Sequence, residues 1–433
     1  VDEAERAFLD GYSRGATLPD PHRLRLHEAI SMLKIVGRRL RNLDVHEWHL
    51  LEPLLGEAEQ RIHRATAPVQ EPRAQHPSGP ARVSAGDRTS SRARPTAHAR
   101  AVALPERLAT ALDPDAMSAV FEPLLDGRPS PVVGADLVRT RPRRRWTIRY
   151  RLAGTERGLI GKVYADEVRG RWVHDTLARF STTGTATSRP RVPTVLGWIP
   201  GLSMMVSVEA PGRDLAELLV DPAVPFREPI ESTAAWLAAL HSSGIRIDRS
   251  FDAIEERDTV RRWAHEVDRW RSGSGVRADE LARSLDERLS GYASFSGRVV
   301  PIHKDFHAQQ VIVDPDGVTV LDFDEMRMGD AAFDLAHFCA NAELLVYRYS
   351  AAAMRIDRAR TMFVQGYRRR ADHDLPAESF DVSFAYTCLK IAWQLSIDAG
   401  LGPQPHPASE EAVRQAGFML ERGLLSLEQR SRR

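Results

Sequence analysis

The residues of this chain best suited to chemistry stand close together in the run His303-Lys304-Asp305-Phe306-His307-Ala308-Gln309-Gln310, flanked by the apolar stretches Val299 to Ile302 and Val311 to Val313. Twelve residues beyond Gln310 lies Asp322, in Val320-Leu321-Asp322-Phe323-Asp324, a further apolar run that ends in two carboxylates. Phosphoryl transfer needs a carboxylate that orients or accepts the proton of an attacking hydroxyl, and oxygen ligands for a Mg²⁺ that bridges the phosphates. Asp305 can supply the first, and Asp322 with Gln310 the second. A single His-x-Asp carries little weight, because loop aspartates commonly form turns or caps. The ordered combination between strand flanks carries far more.

Residues so placed need elements to hold them. The pattern predicts a helix over Ala103 to Leu125. Strands rich in Val, Ile, Tyr and Trp follow at Pro131 to Val138, Trp146 to Leu152, Leu159 to Tyr164 and Leu202 to Glu209. Between the third and fourth, Trp172, Val173, Leu177 and Phe180 mark one face of a helix over Arg169 to Phe180. From Asp214 onward helical spacing dominates, interrupted by short strands at Arg298 to Ile302, Val311 to Val313 and Val318 to Phe323. The expected class is α+β, with a small β-rich lobe leading into a large, mostly α lobe and the chemical run where the two meet.

His303-x-Asp305-x-x-x-x-Gln310, then Leu321-Asp322-Phe323-Asp324, then Gly329-Asp330-x-Ala332-x-Asp334-Leu335-Ala336 resembles the aminoglycoside phosphotransferase and choline kinase-like family. The resemblance spans about Pro131 to Leu425 and implies the bilobed protein-kinase-like fold. It implies Asp305 as catalytic base, Asp322 as principal Mg²⁺ ligand, and His303 and Asp334 as structural supports of the catalytic loop. The usual second metal ligand is Asn. Gln310 offers the same amide oxygen on a longer stem, a form also similar to maltokinase-like members.

In the small lobe, Lys162 of Leu159-Ile160-Gly161-Lys162-Val163-Tyr164 occupies the third strand, where this fold places the lysine that holds nucleotide phosphates. Only four lysines occur among 60 basic residues (Lys34, Lys162, Lys304 and Lys390), so its position is informative. Asp175 is the best placed acidic partner for it on the following helix, with Glu167 too near the strand end. Met204 to Leu215 resembles the interlobe hinge, whose backbone near Val208 and Ala210 would pair with adenine. Where a Gly-rich loop would lie, the chain reads Arg139-Thr140-Arg141-Pro142-Arg143-Arg144-Arg145. It is either a phosphate clamp or a solvated hairpin tip. His241 reads as a structural helix-end residue and His307 as a substrate contact. No Cys/His cluster has zinc spacing, and no Gly-x-Ser-x-Gly elbow is present.

The 433 residues carry 60 basic and 59 acidic side chains, a balance that does not suit a chain built to neutralise a polyanion. Residues 66–100 have no aromatic side chain and six arginines against Glu71 and Asp87. They read as a solvated linker, with a basic nucleic-acid-binding arm as the sharper and less favoured reading. Before it, Ala7-Phe8-Leu9-Asp10-Gly11-Tyr12 echoes Met362-Phe363-Val364-Gln365-Gly366-Tyr367, and Leu33-Lys34-Ile35 echoes Leu389-Lys390-Ile391 at nearly the same offset. The expected organisation is therefore a helical segment over 1–65 resembling the end of a second kinase-like copy, a linker over 66–102, and a phosphotransferase domain over 103–433. Within that domain the N-lobe covers 103–210 and the C-lobe 211–433. A sister kinase-like domain upstream would fit this echo, and Val1 in place of Met would fit a shortened chain.

Two cysteines, Cys339 and Cys388, are too few for a disulfide framework. With neither a leader pattern nor an apolar run able to span a bilayer, a cytoplasmic protein without membrane or nucleic-acid partners is expected. The expected activity is an ATP- (or GTP-) and Mg²⁺-dependent O-phosphotransferase acting on a hydroxyl of a small molecule: a sugar, an aminoglycoside or an amino alcohol. The alternative is a nucleotide-binding pseudokinase or interaction module. Asp252 to Arg288 mixes both charge signs too evenly to choose the acceptor.

Overall fold

The computed structural model describes residues 104–125, 130–141, 144–182, 190–251, 253–270, 275–291, 299–372, 375–400 and 407–431. The N-terminal helical pattern, the sequence echo over residues 7–35 and the linker lie outside them.

The first predicted helix is two, α1 (Leu104–Ala111) and α2 (Pro114–Phe121). Asp113 explains the break: its side chain accepts from the N–H of Asp115 and Ala116, and Pro114 opens the second helix. Strands β1 (Val132–Arg141), β2 (Arg145–Leu152) and β3 (Leu159–Tyr164) follow, then helix α3 (Glu167–Thr182) and strands β4 (Val195–Ile199) and β5 (Met204–Val208). They form a five-stranded sheet in the order β1-β2-β3-β5-β4. Strand β4 was not anticipated. Its signal is masked by Pro193, Pro200 and a register shift between Val195 and Gly197. The sheet closes over Met117, Phe121, Ile148, Tyr150, Val163, Met204 and Val206, all fully buried.

A short crossing joins the lobes. Gly212 there has φ +116°, and a Cβ at that position would meet the Val313 carbonyl oxygen at 2.1 Å, so only glycine fits. Strand β6 (Arg213–Asp214) leads to helices α4 (Leu215–Val220), α5 (Arg227–His241), α6 (Ala253–Trp270) and α7 (Gly275–Gly291). Next come β7 (Val299–Ile302), β8 (Val311–Asp314), β9 (Gly317–Val320) and β10 (Arg327–Asp330). They pair as β6-β8-β9 and β10-β7. Helices α8 (Ala332–Arg348), α9 (Ala353–Arg368), α10 (Ala377–Gly400) and α11 (Pro407–Ser431) complete the chain. The architecture is the expected one: a β-rich lobe and a larger helical lobe, with the small strands at their junction.

Two apolar clusters build the larger lobe. One packs Trp236, Phe306, Phe323, Phe338 and Phe363 beneath the chemical run. The other gathers α6, α7, α10 and α11 around Trp263, Leu285, Leu389 and Met419. Burial of this apolar surface fixes the loops above it. Among the described residues no helix is long and apolar enough to cross a membrane.

Candidate active site

The loop after β7 is held by one carboxylate. Asp334, fully buried in the first turn of α8, accepts the backbone N–H of His303 at 2.7 Å and that of Lys304 at 2.8 Å. It also meets His241 Nε2 at 3.1 Å, whose Nδ1 faces the Tyr367 hydroxyl at 2.7 Å. The His303 ring stitches loop to strand: Nδ1 accepts the Asp305 N–H at 3.3 Å and Nε2 lies 2.8 Å from the Leu321 carbonyl. The sequence folds this way because His303 ends a buried strand with only polar backbone above it, which must find partners.

Gln310 and Asp322 are brought to one end of the β8-β9 hairpin. Val311 pairs with Val320, and the Leu321 N–H donates to the Gln310 carbonyl at 2.8 Å. Among the described residues three non-glycine residues have positive φ, and two of them belong to this site: Lys304 at +64° and Asp322 at +67°. Such backbone strain gathers where a structure holds functional groups in place.

Opposite them stands the small lobe. Lys162 on β3 lies 3.6 Å from Asp322 Oδ1 and 3.9 Å from Asp324 Oδ1. Arg145, at the start of β2, grips both oxygens of Asp322 and lies 2.6 Å from Asp324 Oδ2. The Tyr164 hydroxyl donates to Asp324 Oδ1 at 3.2 Å. Arg145 and Tyr164 are directly opposed in the β2-β3 register, so one position of the sheet delivers both. Burial opposes ionisation of Asp322, but Lys162 and Arg145 outweigh it and hold the carboxyl well below the usual range. Burial draws the Lys162 ammonium below its ordinary value, with Arg145 adding to it against the pull of Asp322 and Asp324.

Asp305 is 13% exposed at its side chain and has an unforeseen partner: Lys390 on α10, with Nζ 2.7 Å from Oδ1. Burial would raise Asp305, yet Lys390 overrides it and keeps the carboxyl below the carboxylate range, with His307 and His337 adjacent. Burial holds His307 down at about 4, so its ring is neutral at pH 7.

Asp175 does not partner Lys162. It pairs with His174 at 2.8 Å on an exposed face, and α3 sends the cation Arg169 to Glu325 at 2.6 Å instead. The acids facing Lys162 come from the segment after β9. In the arginine run, Arg145 is buried in the site, whereas Arg144 is mostly exposed and 3.6 Å from Glu325. At the hinge, Val208 donates its N–H to Thr194 at 2.8 Å and Glu209 to Gly158 at 2.9 Å. Val208 closes β5, and Ala210 follows it in the segment leading to β6. Sequence reasoning missed Arg145, Tyr164 and Lys390. The signal available for Lys390 was its rarity as a lysine in an apolar helix.

The residues fit a hard cation of the Mg²⁺ kind. Asp322 and Asp324 already attract two cationic side chains, and Gln310, whose backbone carbonyl accepts the N–H of Leu321 next to Asp322, carries an amide oxygen of the kind such an ion takes. Among the described residues no group of three or more His, Cys, Asp or Glu could enclose a metal by itself.

Asp305 and Asp322 line one cleft, with Arg145, Asp324 and Tyr164. A β-rich lobe over a helical lobe with this cleft between them defines a kinase-like phosphotransferase. The model of the phosphotransferase enzyme family matches residues 141–375, more than half the chain, and the chain belongs to that family. Among solved structures it is similar to choline kinase from Cryptosporidium parvum Iowa II, at 10% identity over 68% of this chain and 90% of that one, with a TM-score of 0.49. It is also similar to a choline/ethanolamine kinase family protein from Mesorhizobium loti, at 14% identity over 73% and 99%, with a TM-score of 0.46. The amicoumacin kinase hAmiN in complex with AMP-PNP, Ca²⁺ and Ami shares 12% identity over 66% and 88%, with a TM-score of 0.49. No curated protein matches the sequence.

Proposed function

We propose that this phosphotransferase moves the γ-phosphoryl group of ATP to a hydroxyl of a small molecule, with Mg²⁺ as cofactor. The observation that carries the reading is the meeting of Asp305 and Asp322 in one cleft beneath Lys162. The adenine edge pairs with the Val208 carbonyl and the Ala210 N–H, and Lys162 faces the phosphates. Asp322 and Gln310 would hold the metal ion, which would supply neutralisation of the phosphate charge. Asp305 accepts the proton of the acceptor hydroxyl as that oxygen attacks, and His303 and Asp334 keep its loop in register. Catalysis is then positioning and electrostatic stabilisation. The domain over 103–433, divided near residue 210, is the unit that acts.

The acceptor is a sugar, an aminoglycoside or an amino alcohol. A panel of these, with ADP release measured against wild type and Asp305→Asn, tests the reading. Acceptor-dependent release lost in the variant supports it. Release from no acceptor, or equal release by both proteins, contradicts it. The grip of Arg145 on Asp322 favours a second reading, a nucleotide-binding module without transfer. It requires nucleotide binding that is indifferent to Mg²⁺.

A further inference from the structure

Resting on the reading of Asp305 as base, we propose that Lys390 is a positioning residue for it, locked in place by His337, so that the catalytic loop is oriented by a lysine delivered from α10. The loop itself begins the chain of contacts. His337 Nδ1 lies 3.2 Å from both the Phe306 carbonyl, which can only accept, and the Asn341 amide nitrogen, whose shorter bond is to the His337 carbonyl at 2.9 Å; we assign the ring proton to Nδ1, where the carbonyl needs it. His337 Nε2 is then an acceptor, and the Lys390 ammonium meets it at 3.3 Å. The same ammonium donates to Asp305 Oδ1 at 2.7 Å. His337 Nε2 itself lies 3.5 Å from that oxygen.

The circuit closes: Phe306 fixes His337, His337 fixes Lys390, and Lys390 fixes Asp305, the residue beside Phe306. A neutral His337 is required, and burial with the adjacent Lys390 holds it well below its ordinary value. The ammonium takes Oδ1 and leaves Oδ2 for the acceptor hydroxyl. Helix α10 is otherwise apolar here, with Leu389 fully buried and Ile391 nearly so, and packing offers no reason to place a lysine between them.

The groups that act on Asp305 come from every neighbouring element. Lys390 comes from α10, His337 from α8, His307 from the loop, Asp322 from the segment after β9, and Arg139 from β1. Lys390 is the largest of the influences that keep Asp305 ionised, and burial is the influence it opposes. Without Lys390, burial prevails, the carboxyl is protonated at higher pH, and the base is lost from the acid side.

Two measurements on the full chain decide the matter. The first needs no substrate: melting temperatures of wild type, Asp305→Asn, Lys390→Met and the double variant. The proposal expects the double variant to lose less than the sum of the two single losses, because each single change leaves a buried charge without its partner. Additive losses overturn it. The second is the pH profile of phosphate transfer. Lys390→Met should move the acid limb of kcat up by at least about one pH unit with little change in nucleotide KM, and Lys390→Arg should recover part of it. A Lys390→Met profile identical to wild type also overturns the proposal. If Lys390→Met does not fold, Lys390→Arg and His337→Asn enter the same cycle with Asp305→Asn and are judged by the same criterion. If wild type transfers no phosphate, the assignment of function fails while the melting cycle still reads out the pair.

Discussion

Arg145 and Asp322, 177 residues apart in sequence, meet as a two-pronged pair in which the guanidinium engages both carboxylate oxygens at the junction of the lobes. Both side chains are under 10% exposed, so water screens them little. Arg145 therefore stands where a metal ion would also be attracted, and it ties the start of β2 to the segment after β9. Replacing it with Met should destabilise the protein by about 3 kcal/mol or more, since the partner is left buried without its two-pronged grip and with Lys162 and Arg141 as the remaining nearby cations. Mg²⁺ alone should raise the melting temperature of Arg145→Met more than that of wild type. Equal responses to Mg²⁺ would show that the two cations do not compete.

Asp334 is predicted to be a structural residue. Asp334→Ala leaves the N–H groups of His303 and Lys304 and one face of His241 without a partner. Each unsatisfied buried group costs about 1–3 kcal/mol. A large drop in melting temperature should accompany loss of activity, and Asp334→Asn, which keeps one acceptor oxygen, should lose less. An Ala variant as stable as wild type would refute this role.

Asp305→Asn should reduce turnover by about 10²–10⁴-fold with nucleotide affinity nearly unchanged, because nothing in the nucleotide's expected path rests on Asp305. Steady-state turnover together with calorimetric titration separates the two effects. A variant that turns over normally would remove Asp305 from the mechanism.

Acid sensitivity follows from the same residue. Asp305 has its folded value depressed by Lys390, so the stability it contributes is present above the unfolded value, about 4, and is lost as pH falls below it. Wild type should lose stability more steeply below about pH 4 than Asp305→Asn, by the linkage between proton binding and folding. Melting curves taken down the acid range test this.

Much of this site was legible because it is local. His303, Asp305 and Gln310 share one loop and Asp322 ends the next strand, so spacing alone puts them together. Lys162 could be read from its place on a strand. The rest depends on packing. Arg145 looked like part of an exposed basic tip, and only the register with Tyr164 turns it inward. Lys390 reaches Asp305 from 85 residues away, a distance no periodicity encodes. Asp175 sat correctly on its helix, but its face points to solvent. Strand β4 was hidden because it is only five residues, carries Gly197, sits between Pro193 and Pro200, and is half-buried at every position, so no alternation marks it.

Neither cysteine should react in the folded protein. Burial pushes the Cys339 thiol up to about 12 and Cys388 well above its ordinary value, so thiolate is scarce at neutral pH. A thiol reagent should label both only on unfolding. Rapid labelling of the native chain would contradict the burial.

The central claim is that Asp322, Gln310 and Lys162 form a site for a nucleotide held with Mg²⁺. The most direct measurement is the melting temperature of the full chain titrated with ATP, with and without Mg²⁺, beside Asp322→Ala. Saturation at 100 times the dissociation constant should add about 2.7 kcal/mol of stability. The account predicts that wild type shows this gain with Mg²⁺ and loses most of it without, and that Asp322→Ala shows none that depends on the metal. A wild type that ATP does not stabilise, or an Asp322 variant with the full Mg²⁺-dependent gain, would contradict it.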